Sequence, residues 1–91
     1  SNVLTTGGNI MPDADDSQDL GSSTKRWRNI FTGDLQLSNV TSPSNTDEPV
    51  GAGNEVDGTQ GTWTIQEGTN DLFLINRING KKYKFNLIEI S

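Results

Sequence analysis

Between Thr62 and Ile90 the chain sets apolar side chains on both sides of backbone whose alternation marks it as extended, and this limits the folds open to it. Trp63 and Ile65 alternate with Thr62, Thr64 and Gln66, a period of two that predicts a strand. Glu67 to Asp71 reads as a turn, and Leu72 to Arg77 as a short apolar strand, with Leu72 and Leu74 on one face and Phe73 and Ile75 on the other. Asn76 to Gly80 ends in Asn-Gly, a strong hairpin signal. Lys81 to Leu87 alternates again, with Tyr83, Phe85 and Leu87 opposite Lys82, Lys84 and Asn86, and Ile88 and Ile90 then carry apolarity to the second face. The sum is a three-stranded antiparallel meander over 62–91, and three strands require something packed on their apolar face.

The chain has few means of supplying that cover. Hydrophobic residues make up 30% of 91 positions, with no Cys and no His. A disulfide is therefore excluded, and a zinc site would have to be built from carboxylates alone. Small domains commonly need such a staple, so oligomerisation is the means that remains, most simply into a homo-oligomer. A formal net charge of −5 argues against a nucleic-acid partner, which would be met by clustered Lys and Arg. Ser1 to Leu4 show neither the charged nor the apolar region of a signal peptide, and no apolar run approaches the length of a membrane span, so no membrane insertion is expected.

Composition divides the sequence into three parts. Residues 1–40 hold a tryptophan-containing module. Residues 41–61 are polar and rich in Gly and Pro, which predicts a loop or linker, and 62–91 form the meander. In the module, Pro12 blocks helix at Met11, Asp13 to Asp19 is a polar turn, and Gly21 is expected in a conformation that a side chain would oppose. Ser22 or Ser23 is placed to cap a single helical turn near residues 23–30, aiming Trp27, Ile30 and Phe31 inward at i, i+3 and i+4. Leu35 to Val40 alternates as a strand. The predicted core combines Leu20, Gly21, Trp27, Ile30 and Phe31 from the module with Leu72, Leu74, Tyr83, Phe85 and Leu87 from the meander.

Pro12, Asp19-Leu20-Gly21-Ser22, Arg26-Trp27 and Ile30-Phe31 resemble the Pro … Asp-Leu-Gly-Ser … Arg-Trp … Ile-Tyr motif repeated in tail-fibre proteins of tailed bacteriophages. Thr62 to Gly68 and Gly80 to Phe85 are similar to segments near the C-termini of structural proteins of marine phages. Phe31 stands where tyrosine is usual, which removes a hydroxyl, and Ser23 where proline is frequent. The resemblance implies a mainly β chain of short antiparallel strands, intertwined as a homotrimer. It would sit in the virion, in a tail fibre or appendage, and serve assembly and host attachment, with a host surface glycan or other receptor as a further partner.

No motif calls for catalysis or a cofactor, and the chain is expected not to be an enzyme. With no His and no serine in a nucleophile elbow, a hydrolytic triad has no base. The glycines of 51–61 lead into no Gly-Lys-Ser/Thr. Asp47 and Glu48 are a carboxylate pair that any acidic loop supplies. Asp13, Asp15 and Asp19, with Ser17, match the spacing of a calcium loop, but Gln18 and Thr24 occupy the positions that require Gly and Glu. A solvated turn is the better reading, and no metal site is assigned. Trp27 between Arg26 and Arg28 is read as core because Ile30 and Phe31 share its face. Trp63, beside Thr and Gln and next to the polar loop, is the candidate glycan contact. The alternative function is accordingly a carbohydrate-binding module.

Overall fold

Four antiparallel strands form one sheet in the order β1-β2-β3-β4, with β1 at Leu35–Ser38, β2 at Thr62–Glu67, β3 at Leu72–Asn76 and β4 at Lys82–Lys84. The computed structural model describes residues 7–40 and 53–91, so Asp47 and Glu48 and most of the 41–61 segment lie outside the described residues. The chain is mainly β, as the alternation requires, and there is no helix among the described residues. By contacts it forms two units, Ser1–Ile30 and Phe31–Ser91. All four strands belong to the second.

Register follows from the turns. Gly68 N–H donates to the Asp71 carbonyl at 2.7 Å, closing the link from β2 to β3. A Cβ on Gly68 would come within 2.6 Å of the Phe73 ring, so the turn admits no side chain without moving that ring. The second hairpin uses a longer loop than a two-residue Asn-Gly turn. Asn76 and Gly80 exchange a carbonyl-to-amide bond of 2.8 Å, and Asn76 N–H reaches the Lys81 carbonyl. Gly80 takes φ of +75°, and Asn76 Oδ1 accepts the amides of Ile78 and Asn79.

Partner residues across a ladder share a face. One face therefore carries the row Leu35–Ile65–Leu74–Tyr83, the row Leu37–Trp63–Asn76, and Leu72 opposite Glu67. The other carries Gln36, Thr64, Ile75 and Lys82 in one row and Gln66, Phe73 and Lys84 in another. The mixed face is the closed one. Thr64 is fully buried, and Ile75, its ladder partner, is the one buried hydrophobic residue among the described residues. The apolar face is open, with Leu35, Leu37, Leu72 and Tyr83 all exposed.

A hydrogen-bonded chain closes the mixed face. The Thr64 hydroxyl donates to Gln36 Oε1 at 2.6 Å and accepts from Arg77 Nε at 3.0 Å. Arg77 lies two residues beyond Ile75, so it falls on the same face and can reach back to Thr64. Three segments far apart in sequence thus meet at one oxygen.

The helical turn expected near residues 23–30 does not form. Ser22 N–H donates to the Lys25 carbonyl at 3.1 Å, and Lys25 N–H donates back to the Ser22 carbonyl at 3.3 Å. This reciprocal pair closes a tight turn, whereas a helix bonds each carbonyl only to an amide further along. The Ser22 hydroxyl accepts from Lys25 N–H at 3.0 Å, so the capping chemistry is present but serves the turn. One isolated helical turn also carries the full nucleation cost with no propagation to offset it. Gly21 adopts φ of +84°, and a Cβ there would lie 3.2 Å from Trp27 Cδ1. The tryptophan thus sits against the glycine within the first unit. In that unit Asp13 N–H also donates to Gln18 Oε1, and the Ser17 hydroxyl to the Ala14 carbonyl.

The expected strand over 81–87 is shorter than its alternation suggests. Pairing ends at Lys84, with one further bond from Phe85 N–H to the Leu72 carbonyl at 3.0 Å. Beyond it Leu87, Ile88 and Ile90 are 62%, 86% and 95% exposed.

Replacing Thr64 with Val keeps the shape of the side chain and removes the hydroxyl. The expected loss is about 1–3 kcal/mol, because the Gln36 and Arg77 groups lose a buried partner. Urea titration should show a lower midpoint with an unchanged slope.

Candidate functional site

Where β1 ends and β2 begins, the loop 53–61 stands beside the open face and forms a groove with it. Asn39 joins the two. Its N–H donates to the Gly61 carbonyl at 3.2 Å, its Oδ1 accepts Gly61 N–H at 2.8 Å, and its Nδ2 reaches the Thr59 carbonyl at 3.3 Å. The Ser38 and Thr62 hydroxyls meet across the strands at 3.1 Å.

The loop is held by its own side chains. Asn54 Oδ1 accepts the amides of Val56 and Asp57 at 2.8 and 2.9 Å, an Asx turn, while Asn54 Nδ2 donates to Asp57 Oδ1 at 2.8 Å and to the Thr59 carbonyl at 3.0 Å. Gly58 turns the chain with φ of +76°. Gly53 is constrained by space, since a Cβ there would overlap the Gly58 carbonyl group.

Asp57 is held by donors from the same loop. Its pKa is lowered by the Thr59 backbone N–H first, then by the Thr59 hydroxyl at 2.8 Å and the Asn54 amide, all donating to the carboxylate. The side chain is solvent-exposed, so this is a local anchor of the loop.

The groove so formed has a volume of about 600 Å³. Leu37, Trp63 and Ile78 supply its apolar lining. Ser38, Asn39, Asn54, Thr59, Gln60 and Asn76 line it with amides and hydroxyls, and among the described residues no ionisable side chain lines it. The Trp63 and Tyr83 rings lie 5.8 Å apart at 41°, a tilted contact that supports the tryptophan from β4.

Of the residues singled out in the sequence, the sheet brings together Trp63, Leu72, Leu74 and Tyr83 on one face. Phe85 is half-buried, and Leu87 lies in the exposed C-terminal segment. In the first unit Leu20, Trp27 and Ile30 are 74%, 63% and 69% exposed, and in the second Phe31 is 94% exposed. Asp13, Asp15 and Asp19 do not gather: no group of three or more carboxylates among the described residues is placed to hold a metal ion. No described helix is long and apolar enough to cross a membrane. The residues missed were Asn39, Asn54, Thr59 and Asn76. The signal for the loop was Asn54 followed by Asp57-Gly58-Thr59, a run of turn formers within the stretch expected to be a loop or linker.

No family model matches this chain, and neither a curated protein nor a solved structure matches it.

Two outcomes test the loop. Gly53→Ala should destabilise it by about 1–3 kcal/mol, since the added methyl meets backbone. Amide exchange at Gly58 and Thr59 should then accelerate while β3 amides stay protected. For Asp57, a depressed folded pKa means that its contribution is complete above the unfolded value of about 3.9 and fades as pH falls through the folded one. An NMR titration should place the Asp57 midpoint below the ordinary aspartate range, with Thr59 amide protection lost in the same acidic window. Asp57→Asn should remove that pH dependence.

Proposed function

We propose that this chain is a structural, non-catalytic segment of a trimeric phage tail fibre or related virion appendage, contributing to assembly and host attachment. The observation that carries this reading is the open apolar face. Leu35, Ile65, Leu74 and Tyr83 make a continuous row across all four strands, its ends Leu35 and Tyr83 exposed and its centre half-buried, with the exposed Leu72 beside it, while the buried residues Thr64 and Ile75 lie on the opposite face. Contiguous exposed apolar surface of this kind marks an interaction site. The physical mechanism is pooling. Each chain lacks the apolar mass for a core of its own, and three rows meeting about an axis make one.

The sheet edges favour the same arrangement. β4 carries Lys82 and Lys84, charges that discourage a further strand. β1 reads Leu-Gln-Leu-Ser and has no charge or proline along its edge. An edge left without such protection suits a neighbouring chain, and the exposed segment after Phe85 offers unpaired apolar residues of the matching kind. The phage character itself rests on the resemblance of Pro12, Asp19 to Ser22, Arg26-Trp27 and Ile30-Phe31 to the tail-fibre motif.

Light scattering should give three times the chain mass of 9.9 kDa, and melting should rise with protein concentration. Leu35→Asp places a charge on the row at a residue already 47% exposed in the single chain, so it should dissociate the assembly. A wild-type chain that remains a cooperatively folded monomer at micromolar concentration overturns the reading.

A further inference from the structure

We infer that the groove between loop 53–61 and the Leu37–Trp63–Asn76 row is a binding site for neutral oligosaccharide. It deepens the fibre reading by assigning the attachment role to a place on the chain, and it rests on that reading only for biological setting.

Three observations carry it. The first is charge. Among the described residues no Asp, Glu, Lys or Arg lines the groove, in a chain where these types make up 21% of residues. A charged ligand would find no counter-ion here and would lose hydration on entry. The second is the division of the lining. Leu37, Trp63 and Ile78 offer apolar surface, and the rim is amide and hydroxyl. A pyranose presents the same two characters, a C–H face and a hydroxyl edge. The negative face of an indole attracts the slightly positive C–H groups, while Asn54 and Thr59 spend their side-chain polar groups on the loop wall, so the amide that faces the hydroxyls is that of Asn76. Asn76 has its Oδ1 committed to the Ile78 and Asn79 amides, so its Nδ2 is the donor it can offer a ligand. The third is rigidity. Asn54, Asp57 and Thr59 lock the loop wall, and Tyr83 braces Trp63. A preformed wall spares the ligand the cost of ordering it.

A peptide strand fits this lining less well. Trp63 lies in β2, whose backbone is paired to β1 on one side and to β3 on the other, so it presents no free ladder to extend. The groove and the surface proposed for assembly adjoin, which is why the test measures mass alongside binding. Leu37–Trp63–Asn76 and Leu35–Ile65–Leu74–Tyr83 are successive rows on one face, two residues or about 7 Å apart along the strands.

The test uses the whole chain, with neutral gluco-, manno- and galacto-oligosaccharides of three to five units as probes and uronic-acid oligomers as charged controls. Binding is read from shifts of the Trp63 indole N–H and the Asn76 side-chain amide, and mass is measured in parallel. The expected result is saturable binding of at least one neutral series, with dissociation constants of about 1 mM or tighter, and none of the uronic-acid series. Trp63→Ala should weaken binding at least roughly tenfold. Ile78→Arg, at a turn residue 65% exposed, should do the same without touching a strand. Both variants should keep the wild-type mass. Binding that survives Ile78→Arg, or no shift with any neutral probe, overturns the site while leaving the assembly reading intact. Loss of the wild-type mass in Trp63→Ala and Ile78→Arg together makes the groove a subunit contact and overturns it equally. A monomeric wild-type chain that still binds removes the fibre reading and leaves the site standing.

Discussion

The Thr64 hydroxyl is the point on which the arrangement of the second unit depends. It sits fully buried in a central strand, donates to Gln36 of β1 and accepts from Arg77 just past β3. A slip of one residue between β1 and β2 would put Leu35 or Leu37 where Gln36 stands and leave that donor without an acceptor. Register, ordinarily specified by an apolar face against a core, is here specified by a polar contact as well. Because the long side chains of Gln36 and Arg77 meet at Thr64 on this face, it is closed by the sheet's own residues. Ile75 and Phe73 share that face, and the period of two commits the sheet's other apolar side chains, Leu35, Leu37, Trp63, Ile65, Leu72, Leu74 and Tyr83, to the opposite one.

That asymmetry gives the sheet one finished face and one unfinished face. A four-stranded sheet with a single buried hydrophobic residue has little net stability to draw on, since ordering each residue costs about 1–2 kcal/mol. Covering the row Leu35–Ile65–Leu74–Tyr83 is the largest gain still open to it. A second copy can supply the cover because it carries the same row, and the lysines of β4 confine further pairing to the β1 side.

Much of this was legible in the sequence, and the exceptions share a cause. The alternation of Thr62 to Gln66 and the apolar run from Leu72 gave strands with the faces now observed, because a period of two needs no long-range information. Asn79-Gly80 marked the hairpin, though Asn76 captured the turn with its side chain and lengthened the loop. The stretch from Thr24 to Phe31 offered only two repeats of helical spacing, too few to distinguish a helix from a turn that uses the same serine hydroxyl. Strand β4 stops early because alternation describes the chain's faces but not the reach of its partner: β3 begins at Leu72, and the Phe85 amide bonds to that first residue. The Gln36–Thr64–Arg77 contact joins residues 28 and 13 positions apart, and no local pattern encodes it. In the loop the turn chemistry of Asn54, Asp57 and Gly58 was written plainly, but the surrounding Gly and Pro content concealed that the second half folds on itself.

The groove and the open row meet at one side chain. Tyr83 belongs to the row that a neighbouring copy would cover, and its ring also lies against Trp63. In a single chain Tyr83 is 46% exposed, so the support it gives the indole is that of a surface side chain with rotamers to spare. Covered by a neighbour, it would lose that freedom before any ligand arrived, and the entropy of fixing the indole would be charged to assembly instead of to binding. Thermodynamic reciprocity makes such an effect mutual: whatever assembly adds to ligand affinity, the ligand returns as tighter assembly. A fibre segment built this way would hold its ligand best in the associated state. It would do so with no conformational change, because the loop wall formed by Asn54, Asp57 and Thr59 is already closed within each chain.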